Sequence, residues 1–422
     1  MFSSRRKAVL AAAFAGLLLT APVPGALAAQ PAEVTAQDAA IYTIDGTNAE
    51  SRTDIHRLGA EILGVQGRTA QIQATRGQAD ELRSRGYRLT EKTGLGEALG
   101  KINGNRGKAA AGDFPPGDEA YHNYDETNAA LETAATEHPG ITSKFSIGES
   151  HEGRDIPALK ISDNAATDED EPEVLFNCNQ HAREHLTTEM CLHIVERFTN
   201  GHGSDQAVTD MVDSREIWVI PMVNPDGSTY DIASGQYRGW RKNRQDTGTD
   251  LNRNWGYMWG CCGGSSDDPN SETYRGTEAW SAPETAAMRD FVDSRVVDGT
   301  QQIKAAIDFH TYSELVLWPF GHTSDDVTEG MTQQEYDRFE RVGTAMAADN
   351  GYTPQQSSDL YVTDGDSLDW MWGEHKILAF TLEMYPASGG GLDGFYPPAD
   401  VIDRETARND GAVDILINEA GT

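Results

Sequence analysis

The chain has 422 residues, a formal charge of −33 and four cysteines. Its acidity is a bias of sign, 67 Asp and Glu against 34 Lys and Arg, which argues against a nucleic-acid partner, because holding a phosphate backbone requires net neutralisation. Apolar residues spread along the whole length exclude a disordered acidic chain, and so few cysteines exclude a disulfide scaffold without a core.

Residues 1–28 read as an export signal. Arg5, Arg6 and Lys7 form a basic head, Ala8 to Leu19 are apolar, and Ala26-Leu27-Ala28 follows Pro22, Pro24 and Gly25 as a small-x-small cleavage signature. The apolar run is about a dozen residues where roughly 20 span a bilayer. A cleaved signal fits better than an anchor, and no later stretch reaches spanning length. The expected product is secreted, with no membrane partner.

Residues 29–112 form a near-neutral segment, with 11 Lys and Arg against 10 Asp and Glu, whereas residues 113–422 carry 20 against 57. Ala40 to Ile44 alternates like a strand, Thr53 to Leu63 fits a short helix, and Thr69 to Ala74 alternates again. Gln78 to Arg85 is helical and Tyr87 to Leu89 extended. This β-α-β-α-β order suits a small ferredoxin-like α+β unit. Gly100 to Gly112, rich in glycine and cations with nothing to bury, reads as an exposed linker. A foldable module between a signal and a cleavable linker is what a pro-segment needs to be; a permanent N-terminal domain is the alternative.

In residues 113–422, strand-like runs occur at Glu173–Cys178, Glu216–Pro221, Ala306–Phe309, Leu315–Trp318 and Ile377–Leu382. Helical periodicity falls between them, at Leu186–Phe198, Ala282–Ser294, Gln334–Asn350 and Ser367–Glu374. Continuously apolar strands separated by helices predict an α/β fold, a mixed and mostly parallel sheet covered on both faces. No dinucleotide fingerprint or P-loop opens any crossover.

The sharpest local signal is His181-Ala182-Arg183-Glu184-His185, directly after the first of these strands. An imidazole and a carboxylate three residues apart can face one point as zinc ligands, and His310, ending another strand, fits as the third. The spacing alone is weak evidence; its surroundings strengthen it. Gly239-Trp240-Arg241-Lys242 and Asp250-Leu251-Asn252-Arg253-Asn254 place cations and amides near apolar residues, which in so acidic a chain suggests an anionic ligand group. Glu383 lies in the apolar run Phe380-Thr381-Leu382-Glu383-Met384, where an unpaired carboxylate is costly; beside a metal it becomes a general base for a water on the zinc.

Together with Asn224-Pro225-Asp226-Gly227 and His310-Thr311-Tyr312-Ser313, these ordered motifs resemble the zinc carboxypeptidases of the funnelin family, which includes the digestive pancreatic enzymes. The resemblance runs from about Phe114 to the C-terminus and looks closest to the secreted bacterial branch typified by carboxypeptidase T. It implies an eight-stranded-type sheet flanked by helices, one zinc ion held by His181, Glu184 and His310, Glu383 as general base, and Arg241 as the group stabilising the oxyanion. It also implies that Asn252 and Arg253 hold the terminal carboxylate of a peptide substrate, that Tyr361 closes over the bound residue, and that Arg183 lines the groove further out. Leu368 matches a pocket-floor position and argues for hydrophobic termini, Asp366 resembles the acid that admits basic ones, and Gly321 matches a small wall residue. The implied enzyme is a monomer with a dual preference, hydrophobic first, inhibited by its own pro-segment until cleavage near Asp113.

The pairing of Cys178, Cys191, Cys261 and Cys262 is open, with three connectivities possible. The run Asp168-Glu169-Asp170-Glu171-Pro172-Glu173 is either a hard-cation site or a solvated face; the resemblance favours structural calcium there. Two rival readings are a hydrolase of the same fold acting on other amides, and a non-catalytic binding protein. Altered residues at Asn252 and Arg253 would mark the first, and decayed ligands or a lost Glu383 the second.

Overall fold

The computed structural model describes residues 39–421; the export signal expected over residues 1–28 lies outside them. The alternating segment near the N-terminus forms β1 (Ala39–Ile44), followed by α1 (Ala49–Arg57), β2 (Glu61–Gln66), β3 (Thr69–Thr75), α2 (Arg76–Ser84), β4 (Leu89–Gly94) and α3 (Leu95–Arg106). The four strands make an antiparallel sheet in the order β2-β3-β1-β4. Two expectations are corrected. The helix expected over Thr53–Leu63 ends at Arg57, because Gly59 takes a left-handed φ of +81° and turns the chain into the unforeseen strand β2. The linker expected over Gly100–Gly112 is helical as far as Arg106. Its glycines disguise an i, i+4 apolar pair, Ala98 and Ile102, which are buried against the main core. Arg106 adds an ion pair to Asp118 (2.5 Å) and a bond to the Tyr396 carbonyl (2.6 Å).

The main sheet has eight strands. These are β5 (Thr142–Glu149), β6 (Asp155–Ile161), β7 (Glu173–Cys178), β8 (Glu216–Ile220), β11 (Ile303–Thr311), β12 (Leu315–Trp318), β13 (Thr353–Gln356) and β14 (Leu378–Met384); β9 (Val296–Val297) and β10 (Thr300–Gln301) form a separate short hairpin. Its order is β13-β12-β14-β11-β7-β8-β6-β5. The pairings β11 with β14, β11 with β7, β7 with β8 and β12 with β13 are parallel, and the other three antiparallel, so the sheet is mixed. Helices lie over both faces, and two apolar clusters, one built around Phe176, Phe309 and Phe380 and the other around Leu175, Trp255 and Met288, fill the space beneath them. The continuous apolar runs are the central strands, buried on both faces as such runs demand. Disulfides join Cys178 to Cys191 and Cys261 to Cys262. Among the described residues no helix is long and apolar enough to cross a membrane.

Helix α1 seats the N-terminal sheet on the main body. Arg52 donates to the carbonyls of Leu360 (2.6 Å) and Asp359 (2.8 Å), and the Val362 amide donates to the Thr53 hydroxyl (2.9 Å). His56 bonds the Gly264 carbonyl (2.9 Å) and packs its ring 4.9 Å from that of Tyr361. Burial, and then the nearby Arg253 cation, push the His56 imidazole down to about 4. Protonation therefore favours states in which His56 is free. Stability is complete above pH ~6.5 and is lost as pH falls from there toward ~4, by about 3 kcal/mol in all. Thermal melting between pH 7 and 4 should show this fall for the native chain and a flatter profile for His56→Gln; parallel profiles would refute the assignment.

Candidate active site

The loop leaving β7 carries the first two metal-ligand candidates. Asn179, with φ of 58°, directs its side-chain amide at the carbonyls of His181 (3.2 Å), Ala182 (3.4 Å) and Glu184 (3.4 Å), and its backbone N–H donates to the Thr187 hydroxyl. This braces the turn, so His181 and Glu184 precede the helix His185–Gly201. His310 comes from the end of β11, and Glu383 is its cross-strand neighbour on β14.

The Nδ1 atoms of His181 and His310 lie 3.1 Å apart, and each is 2.9 Å from a different Glu184 oxygen. All three residues are buried. Burial alone would raise the Glu184 carboxyl; the His181 and His310 imidazoles outweigh it and hold the group well below the usual carboxylate range. Each imidazole is oriented from behind by a second carboxylate. His181 Nε2 is 3.1 Å from Asp250 Oδ1, and His310 Nε2 is 3.0 Å from Asp308 Oδ2. Two carboxylate-backed imidazoles and one carboxylate, converging with room for a fourth ligand, are the donor set and outer support of a zinc centre.

One cavity is lined by His181, Glu184, His310, Arg241, Asn252, Arg253, Tyr361, Asp366, Leu368 and Glu383. Arg241 donates to Asp250 Oδ2 through Nη2 (2.9 Å) and Nε (3.2 Å). Asn252 sits in the short 3-10 turn Leu251–Arg253, its Nδ2 3.3 Å from His310 Nε2 and its Oδ1 accepting from the Ser367 amide (2.9 Å). Arg253 donates to the carbonyls of Gly264 (3.0 Å) and Asn252 (2.5 Å) and, among the described residues, pairs with no carboxylate. Burial, reinforced by Glu184 and opposed by His310 and Arg241, pushes Glu383 up to about 8. Burial followed by Asp369 pushes Asp366 up to about 7; its Oδ2 accepts from the Thr363 hydroxyl (2.5 Å) and its Oδ1 from the Asp369 amide (2.8 Å).

Two expected residues stand outside this lining. Gly321 lies behind it, and a Cβ there would press on Thr363 Oγ1 and Asp366 Oδ2. Arg183 is fully buried, its guanidinium 3.9 Å from the Phe395 ring centroid and paired with Glu61. Glu61, on β2, also approaches Arg241 Nη1 at 3.5 Å. Glu61 to Gly64 form one wall of the cavity, whose volume is about 80 Å³. The run Asp168–Glu173 is partly neutralised by the chain's own cations, since Arg295 pairs with Asp168 and Glu173 at 2.6 Å. Its carboxylates also cluster, with one oxygen each from Asp163, Glu169 and Glu171, and one each from Asp168, Glu173 and Glu216, lying within 4.8 Å of one another. Sequence reasoning missed Asp308 and Glu61 as site residues. Asp308 was discoverable two positions before His310 on the same strand face, while nothing local in β2 marks Glu61.

Fold and site together define a zinc-dependent hydrolase. A pattern described as zinc carboxypeptidase matches residues 127–410. A zinc carboxypeptidase of Saccharothrix mutabilis subsp. capreolus is 46% identical over 99% of this chain and 97% of its own length. Carboxypeptidase A1 of Mus musculus is 33% identical, covering 67% of this chain and 66% of its own. Among solved structures, the carboxypeptidase A of Helicoverpa armigera superposes with a TM-score of 0.74 at 22% identity, covering 91% of this chain and 98% of that one, a likeness of fold. The chain belongs to the zinc carboxypeptidase family and is a metallocarboxypeptidase with Zn²⁺ as its cofactor.

Asp308→Asn should weaken zinc affinity by about 10–100-fold, the usual effect of removing such an orienting partner. Competition with a calibrated chelator reads this directly; unchanged affinity would reduce Asp308 to a packing role.

Proposed function

We propose that the protein is a secreted exopeptidase that removes the C-terminal residue of peptides, with hydrophobic and basic termini both accepted. The observation that carries this is Arg253, a buried guanidinium that among the described residues pairs with no carboxylate in a strongly acidic chain, beside the Asn252 amide that approaches the ligand candidate His310. Such a group is poised for an incoming carboxylate. A terminal carboxylate held there by Asn252 and Arg253 presents only the last peptide bond to the metal triad, which rejects internal bonds. Zinc supplies Lewis acidity, polarising the scissile carbonyl and acidifying a water. Glu383 takes the proton of the attacking water and returns it to the leaving amine. Arg241, fixed by Asp250, donates to the oxygen where negative charge develops. Tyr361 covers the bound residue, and Arg183, once Glu61 has left it, lines the groove beyond. Of the family's branches, the secreted bacterial one typified by carboxypeptidase T fits this pairing of Leu368 with Asp366.

The test is a series of blocked peptides ending in Phe, Leu, Arg, Lys or Glu, each with an amidated control. Free Phe and Arg ends should be cut and amidated ends spared, and Glu383→Gln should lower kcat by about 10³-fold or more. Because Asp366 is neutral below about pH 7 and ionised above it, the ratio of Arg to Phe cleavage should rise as pH increases through that range. Asp366→Asn should flatten the rise. Cleavage of amidated ends would overturn the exopeptidase reading and favour the amidase alternative.

The segment 29–112 acts, in this reading, as an intramolecular inhibitor of ferredoxin-like type. Glu61 meets both groove arginines, and β2 fills the space a substrate needs. Glu61→Gln should give the uncleaved chain measurably more peptidase activity than the native uncleaved chain; equal activity would show that β2 blocks by bulk alone.

A further inference from the structure

We propose that the disulfide between the adjacent Cys261 and Cys262 is a positioning element for the Arg253 clamp, an inference that rests on the carboxylate-binding role given to Arg253 above. The segment Gly260-Cys261-Cys262-Gly263-Gly264 has three glycines in five residues, two of them with left-handed φ values of +64° and +76°. A chain of that composition has wide conformational freedom. Closing a covalent ring across the Cys261–Cys262 peptide removes much of it and fixes where the following amides and carbonyl point.

Those groups reach the site. The backbone N–H of Cys262 (3.0 Å) and that of Gly264 (2.8 Å) both donate to Asp364 Oδ2, and the Ser265 hydroxyl donates to the other oxygen of this fully buried carboxylate. A Cβ on Gly264 would collide with the backbone of Thr363 and Asp364, so the loop and the pocket wall are in direct contact. The Gly264 carbonyl then accepts from Arg253 Nε at 3.0 Å. With no carboxylate partner among the described residues, Arg253 depends on this carbonyl and on that of Asn252 for its aim.

Helix α1 braces the same loop from outside. His56 bonds the Gly264 carbonyl, and Arg57 Nη2 donates to the Cys262 carbonyl at 2.9 Å. When the N-terminal sheet leaves, both contacts go with it, and the disulfide and Asp364 remain to hold the loop. The cross-link thus preorganises the carboxylate clamp in the working enzyme.

The test expresses the full chain and brings it to its zinc-loaded, peptide-cleaving form, comparing native protein with Cys261→Ser/Cys262→Ser and with Arg253→Ala. The serine pair should raise KM for a free-carboxylate peptide by about tenfold with kcat within about twofold, since ground-state positioning is lost and the reacting groups are untouched. The inhibition constant of free phenylalanine should rise by the same factor, with zinc content and melting temperature unchanged. Should the serine pair fold poorly, a water-soluble phosphine applied to native enzyme serves instead. Phosphorus takes an oxygen from water to become a phosphine oxide, the sulfur–sulfur bond breaks, and the two water protons end on two thiols. Cys261 is exposed, whereas Cys178 and Cys191 are fully buried, so the reagent reaches the adjacent pair first. Reduction should reproduce the rise in KM. An unchanged KM in both treatments, with Arg253→Ala still raising it, overturns the role of the disulfide alone. An unchanged KM in Arg253→Ala overturns the clamp reading and this inference with it. Parallel loss of zinc, melting temperature and kcat would make the disulfide a general structural brace and overturn the inference.

Discussion

Charge buried with its opposite is the constraint on which this molecule turns. His181, Glu184, His310, Asp250, Asp308 and Arg241 are all nearly inaccessible to water. Isolated, any one of these ions would be expensive to bury; removing a partner from such a set costs several kcal/mol, because the other charge stays behind unpaired. The central strands β7, β11 and β14 are therefore more than a scaffold. Their parallel register brings His310 beside Glu383 and sets the loop after β7 above both, so that the carboxylates and imidazoles neutralise one another in one place.

That arrangement has two kinds of member. His181, Glu184 and His310 face the metal position, and Asp250 and Asp308 stand behind them. Asp250 serves twice, orienting His181 and fixing Arg241, which ties the metal centre to the group expected to meet developing charge. Arg253 differs from these, a buried cation that among the described residues bonds carbonyls and no carboxylate. It lines the same cavity as the metal-ligand candidates, where an anion brought by a ligand could meet it.

The sequence made the inner face of the site readable. Two ligands fall within four consecutive residues, the third ends an apolar strand, and Glu383 is a charge in the middle of a buried run. Central strands were readable for the same reason, since burial on both faces leaves an uninterrupted apolar stretch. Strands β5, β6 and β13 were not read: β13 is Thr-Pro-Gln-Gln, with no apolar residue to mark it, and β5 is half-exposed along its length. Glycine misled twice in the N-terminal segment, being taken as tolerated inside a helix at Gly59, where it ends one, and as a sign of a linker at Gly100 and Gly104, where the helix continues. Glu61 was beyond reach because its meaning depends on a partner 122 residues away.

Helix α3 gives the N-terminal segment a second attachment that has nothing to do with the catalytic groove. Ala98 and Ile102 belong to the main core, Asn103 exchanges hydrogen bonds with the Tyr237 backbone, and Arg106 reaches Asp118 and Tyr396. A protease cutting within residues 107–112 would sever the chain and none of these contacts. Scission and departure are then separate events, and the nicked protein is a non-covalent complex with a lifetime of its own. On the proposal that the segment inhibits, the delay before full activity is set by how long α3 stays lodged, and dilution, rather than more protease, shortens the time for which the freed segment can rebind.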